Sequence, residues 1–131
     1  FFFLFAAISL PSGRVLWKRD LVSVKQAAVD AEHVFVTTRD SAVVCLDRIG
    51  GISLWKQDAF KLRGLTSPLV MPGRVVLGDY EGYVHFLNPD SGDVVGRVSA
   101  AGDAIVAPLV ANGSTIFALT ADADVVAISV Q

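Results

Sequence analysis

A pattern that returns every 41 residues constrains this chain more than any other feature. Residues 75–88 align without a gap on residues 34–47, and the same register continues onto residues 116–129. Val34, Val75 and Ile116 open the three copies, and Asp40, Glu81 and Asp122 share one position within them. A period of this length means stacked or radially arranged units, none able to bury its apolar face alone.

Each copy carries the same local signals. Runs such as 33–37, 75–77 and 116–119 are short, β-branched and aromatic, as strands prefer. No stretch keeps a 3.6-residue period over helical length, so helices are not expected. Polar residues then interrupt at 38–41, 79–82 and 120–124, which reads as a hairpin turn with solvated acids. Three carboxylates at one repeat position lie on separate units and form no acid–base pair among themselves. A second strand and a second turn follow, with Gly13, Gly51 and Gly92 in the same place. A tight reversal there needs positive φ, which glycine adopts without cost. Four residues later come Trp17, Trp55 and, in the third copy, Gly96. A repeated tryptophan on the last strand of a unit is read as packing against the next unit. Gly96 should leave one such contact weaker. Before the first strands stand Pro68-Leu69-Val70 and Pro108-Leu109-Val110, with Ala27-Ala28-Val29 as the rough equivalent. Proline is tolerated at a strand start because its missing N–H falls outside the ladder.

One unit is therefore four short antiparallel strands in about 40 residues, and such sheets repeated around an axis make a β-propeller. The register divides the chain into residues 1–20, the outer two strands of a cut blade; 21–58 and 59–99, two complete blades; and 100–131, a blade lacking its outer strand. Counted back from Gly13, Phe1, Phe2 and Phe3 fall where the other copies place the polar turn. Those residues are expected not to belong to the native repeat. The apolar stretch 1–10 is far short of the roughly 18 residues that span a bilayer. It also lacks the Met and basic segment of a secretory signal, so a truncated or misread end is expected.

Composition narrows the function classes. The 131 residues suffice for one domain with a real core. A formal charge of −2 and scattered basic residues give no footprint for nucleic acid. Lys56, Lys61 and Arg63 form only a loose cluster, read as a solvated loop. The single cysteine, Cys45, excludes an internal disulfide and a cysteine zinc cage, and its apolar neighbours suggest a buried, inert thiol. His33 and His85 show no partner at a spacing suited to metal or nucleophile chemistry.

The turn that runs Leu-Asp-x-x-x-Gly-x-x-x-Trp resembles that of the propellers named after pyrroloquinoline quinone. Two stretches narrow the likeness: residues 63–68 (Arg-Gly-Leu-Thr-Ser-Pro) and 75–87, with Gly78-Asp79-Tyr80-Glu81-Gly82-Tyr83 its most specific part. Both resemble the C-terminal blades of the BamB family, outer-membrane assembly lipoproteins of Gram-negative bacteria. Residues 12–19 are similar to the blade before, and 125–128 to the family's last strand. The resemblance implies an eight-bladed, non-enzymatic propeller at the periplasmic face of the outer membrane, tethered by an N-terminal lipid. It implies binding to the POTRA domains of BamA within the Bam complex, assistance to outer-membrane protein clients, and no cofactor. In this family the N-terminal segment supplies the outer strand of the last blade. Cys45 cannot be the lipidated cysteine, because it lies mid-strand without a lipobox.

Within this chain the longest inter-blade connection, residues 56–67, offers the candidate partner-binding residues Phe60, Leu62, Arg63 and Leu65. Read as exposed, they would supply aromatic, aliphatic and Arg contacts; the plainer reading has them plug the funnel or bridge adjacent blades. Arg63→Glu is expected to weaken partner binding without unfolding. The competing class is a quinone-dependent dehydrogenase, which needs a catalytic Asp and Ca²⁺ ligands and in some families a vicinal cysteine pair that this chain lacks. A ligand-sensing propeller of a larger receptor is a third reading.

Overall fold

The structure, a computed structural model, describes residues 3–21, 23–100 and 102–130. It is all-β, with every paired strand antiparallel and no helix among the described residues. Strands β1 (Phe3–Ile8) and β2 (Val15–Leu21) form a first sheet. The second contains β3 (Ser23–Val29), β4 (His33–Thr38), β5 (Val43–Asp47) and β6 (Ser53–Gln57) in sequential order. The third repeats that order with β7 (Leu69–Met71), β8 (Arg74–Gly78), β9 (Tyr83–Leu87) and β10 (Val94–Ser99). A fourth joins β11 (Val110–Asn112), β12 (Thr115–Leu119) and β13 (Val125–Ser129). The first strand of the third sheet, β7, approaches both β3 and β11, so the sheets fan out from a shared inner edge.

The period-2 geometry of a strand explains why the middle strands are apolar on both faces. Along β4 and β5, Val34, Val36, Val44 and Leu46 pack towards the first sheet with Trp17, while Phe35, Val43 and Cys45 pack towards the third. In the third sheet, Val75, Leu77 and Leu87 face the second, and Val76, Val84 and Phe86 face Ile105, Leu109, Ile116 and Ala118 of the fourth. The core is thus a series of inter-sheet layers. The outermost strands face water: β6, β10 and β13 are largely exposed.

The tryptophans join the sheets. Trp17 covers Gly51 and its indole N–H donates to the Arg48 carbonyl at 2.9 Å. Trp55 repeats this over Gly92, donating to the Pro89 carbonyl at 2.9 Å. Gly13, Gly51 and Gly92 have φ of 71°, 72° and 78°, the left-handed region in which a side chain is strained. At Gly51 and Gly92 a Cβ would also come within 2.4 Å of a tryptophan ring atom, closer than any real contact. At Gly96 the ladder between β9 and β10 shifts register and no neighbour lies within 4 Å of a Cβ.

One expectation at the N-terminus is corrected. Phe3 does not sit in a turn: it opens β1 and pairs with Leu21, because the seven-residue β2 offers ladder partners that far. Phe1 and Phe2 lie outside the described residues.

Candidate partner-binding loop

The connection from β6 to β7 is split between core and surface. Phe60 and Leu65 are 5 % and 0 % exposed and belong to the layer between the second and third sheets. The sequence allows both to stand exposed or to bridge adjacent blades, and here they are buried between two sheets rather than exposed. Their apolar rings and branches instead fill the space between Phe35, Val43 and Leu77, where burial is favourable. Leu62 does the opposite: it is 93 % exposed and held at φ 63°, a strained conformation for a branched side chain.

The loop is pinned at several points. The Arg63 N–H donates to the Phe60 carbonyl, and the Arg63 carbonyl accepts the Tyr80 N–H at 2.7 Å. The Leu65 N–H donates to Ser41 Oγ at 3.2 Å, and Thr37 Oγ1 donates to the Thr66 carbonyl at 3.0 Å. Gly64, at φ 62°, lies against the Tyr80 side chain. Residues 60–66 therefore form one backbone unit with the β8–β9 turn, which carries the exposed Tyr80.

That turn is organised by Asp79, which is fully buried. Its Oδ1 accepts the N–H groups of Glu81 and Tyr83 at 2.8 and 3.0 Å. Its Oδ2 lies 2.7 Å from His85 Nε2 and 3.2 Å from the Arg63 guanidinium, which also approaches Glu81 at 3.8 Å. Burial by itself would raise Asp79, but the bonds from His85, Tyr83 and Glu81 outweigh it and hold the carboxyl below its usual range. His85 stacks at 4.4 Å from the Phe60 ring, and its Nδ1 finds no hydrogen-bond partner.

Two sequence readings change here. The turn acid that caps backbone N–H groups is Asp79 rather than Glu81; Thr38 and Thr120 occupy its repeat position and accept the N–H groups of Ala42 and Asp124. Both histidines do have acidic partners: His85 has Asp79, and His33 Nδ1 lies 2.9 Å from Asp30. A signal was present in the repeat, because His85 replaces the apolar Val44 and Val126 while Asp79 replaces threonine. A buried imidazole that enters with a carboxylate six residues away is a paired substitution.

Other candidates offer less. Asp122 is raised by its hydrogen bond and charge interaction with Asp103, but the pair is on the surface. Cys45 is buried, and desolvation followed by nearby acids pushes its thiol up to about 12. A cavity of about 280 Å³ beside the inner strands is lined by Gly64, Thr66, Ser67, Ile105, Ala107 and Pro108 among others, with no carboxylate in its wall. No helix among the described residues is long and apolar enough to cross a membrane.

Radially arranged four-stranded sheets, bolted by tryptophan over glycine and carrying surface loops, define a β-propeller of the quinone-repeat type. The family model described as "Outer membrane protein assembly factor BamB" matches residues 4–131, and the chain belongs to that family. It is 37 % identical over 117 residues to the BamB of Alkalilimnicola ehrlichii, covering 89 % of this chain and 30 % of that protein. With the BamB of Pseudomonas aeruginosa it shares 41 % over 106 residues, 80 % of this chain and 28 % of that one. The crystal structure of BamB from Moraxella catarrhalis superposes with a TM-score of 0.87 at 29 % identity, over 95 % of this chain and 37 % of that chain. The chain thus spans between 28 % and 37 % of the length of these relatives. A europium-containing methanol dehydrogenase, at TM-score 0.63, 21 % identity and 77 % and 23 % coverage of the two chains, shares the fold alone.

Proposed function

We propose that this chain is the C-terminal part of an eight-bladed, non-enzymatic scaffold of the β-barrel assembly machinery. It acts at the periplasmic face of the Gram-negative outer membrane, tethered by a lipid upstream of these residues. Its partner is the POTRA region of BamA, and its role is to assist the folding and insertion of outer-membrane proteins.

The observation that carries this reading is the surface around Leu62. Leu62 and Tyr80 are both exposed, flank Arg63, and stand on backbone segments hydrogen-bonded to each other. Tyr and Arg are the side chains that binding hot spots favour, Leu62 adds exposed apolar area beside them, and a fixed support means little ordering entropy is lost on docking. Phe60 and Leu65 act beneath this surface as its support. Family membership favours an assembly partner over a quinone cofactor.

Isothermal titration of the full-length protein with the periplasmic domains of BamA tests this. A saturable complex of one to one is expected; no heat of binding and no co-migration in gel filtration would overturn the reading.

A further inference from the structure

At the opposite ends of the strands from Leu62, the β3–β4 turn of the second sheet meets the β9–β10 turn of the third. His33 is 7 % exposed there, and both Asp30 oxygens lie 2.9 Å from its Nδ1. The Asp30 carboxylate on Nδ1 orients the ring and leaves Nε2 as the nitrogen turned away from it, the one a cation could take in place of a proton. Nε2 faces Asp90, whose Oδ1 lies 3.5 Å away, and Glu32 offers a further carboxylate. One ligand atom from each of Glu32, His33 and Asp90 lies within 4.8 Å of the others. A ring nitrogen beside the Asp90 carboxylate, with the Glu32 carboxylate in the same cluster, is an arrangement that a bound divalent cation would complete.

The parts are held in place before any ion arrives. Asp30 Oδ1 also accepts the N–H groups of Glu32 and His33, fixing the first turn. Asn88 Oδ1 accepts the Asp90 N–H at 2.8 Å, and the indole of Trp55 anchors the adjoining Pro89 carbonyl. An imidazole oriented by a carboxylate behind it is the usual second shell of a metal-bound histidine. Bonds of about 2.0–2.2 Å to one ion need ligand atoms roughly 3–4 Å apart. The remaining closure falls on the exposed Glu32 and Asp90 side chains, which are free to turn.

We propose that Glu32, His33 and Asp90 bind one divalent cation of the zinc type, with water as fourth ligand, joining the second sheet to the third. One imidazole and two carboxylates favour Zn²⁺ over Ca²⁺, which prefers an all-oxygen set.

The test is Zn²⁺ binding by full-length, tag-free, chelator-treated protein, measured by competition with a chromophoric chelator, with Ca²⁺ as comparator. His33→Gln removes the nitrogen ligand, and Asp90→Asn removes a surface carboxylate without touching the core. Each is expected to weaken the site by about tenfold or more, and Zn²⁺ should raise the Tm of the wild type but not of Asp90→Asn. No Zn²⁺ binding, equal binding by wild type and Asp90→Asn, or Ca²⁺ binding as tight as Zn²⁺ would overturn the proposal.

Discussion

Trp55 lies across Gly92 of the neighbouring sheet and donates its indole N–H to the Pro89 carbonyl, so one residue closes an apolar contact and a turn together. The glycine is required twice, by φ of 78° and by a ring that would press on a Cβ at 2.4 Å. Gly92→Ala is therefore expected to cost about 2 kcal/mol or more, from backbone strain and overpacking together. Urea denaturation should show a lower midpoint with an unchanged slope.

Gly96 gives the opposite expectation. It occupies the repeat position of Trp17 and Trp55, but its φ is not positive and a Cβ there meets open space. Gly96→Ala should leave stability unchanged or raise it by about 0.5–1 kcal/mol through the entropy of the unfolded chain. The same urea titration checks it, and only the Gly92 variant should show a lower midpoint.

Asp79 links the loop to acid sensitivity. Its carboxyl is held below the usual range, with bonds from His85, Tyr83 and Glu81 overcoming the effect of burial. A depressed carboxyl contributes stability that is fully present above its unfolded pKa of about 3.9 and lost as pH falls through the folded value. The stability difference between wild type and Asp79→Asn should thus shrink as pH falls below about 4. At pH 7 the variant should lose about 2–3 kcal/mol, since the Arg63 cation and the turn N–H groups lose their charged acceptor. Equilibrium unfolding at several pH values measures this.

Cys45 should be silent. Its thiol is buried and pushed up to about 12, so thiolate is scarce at neutral pH. A chromogenic thiol reagent at pH 8 should leave Cys45 unmodified in folded protein and react with it once denaturant is added. Rapid modification of Cys45 under native conditions would contradict the packing described between the second and third sheets.

Much of the fold was legible because the repeat supplies its own alignment. Glycine at one position and tryptophan four residues on are local requirements, and they mark the turns and the inter-sheet contacts directly. The loop was less legible because burial in a connection is set by what lies across it. Phe60 and Leu65 carry no periodic signal, yet Phe35, Val43 and Leu77 from other strands enclose them. Asp79 and His85 were hidden for a related reason, since their pairing joins a turn to the strand after it and shows only when copies are compared position by position.

Arg63 is also a less clean probe than its sequence suggested. Its guanidinium neutralises the buried Asp79 at 3.2 Å, so Arg63→Glu would set two carboxylates against each other and disturb the turn as well as the surface. Leu62→Asn avoids this. Asparagine tolerates the φ of 63° better than leucine, and it removes the exposed apolar group without altering charge.

One comparison shows directly whether this loop docks the partner. The dissociation constant of full-length Leu62→Asn for the BamA periplasmic domains should rise by about tenfold or more over the wild type, with the urea midpoint unchanged or higher. Equal affinity for the two proteins would contradict docking by this loop.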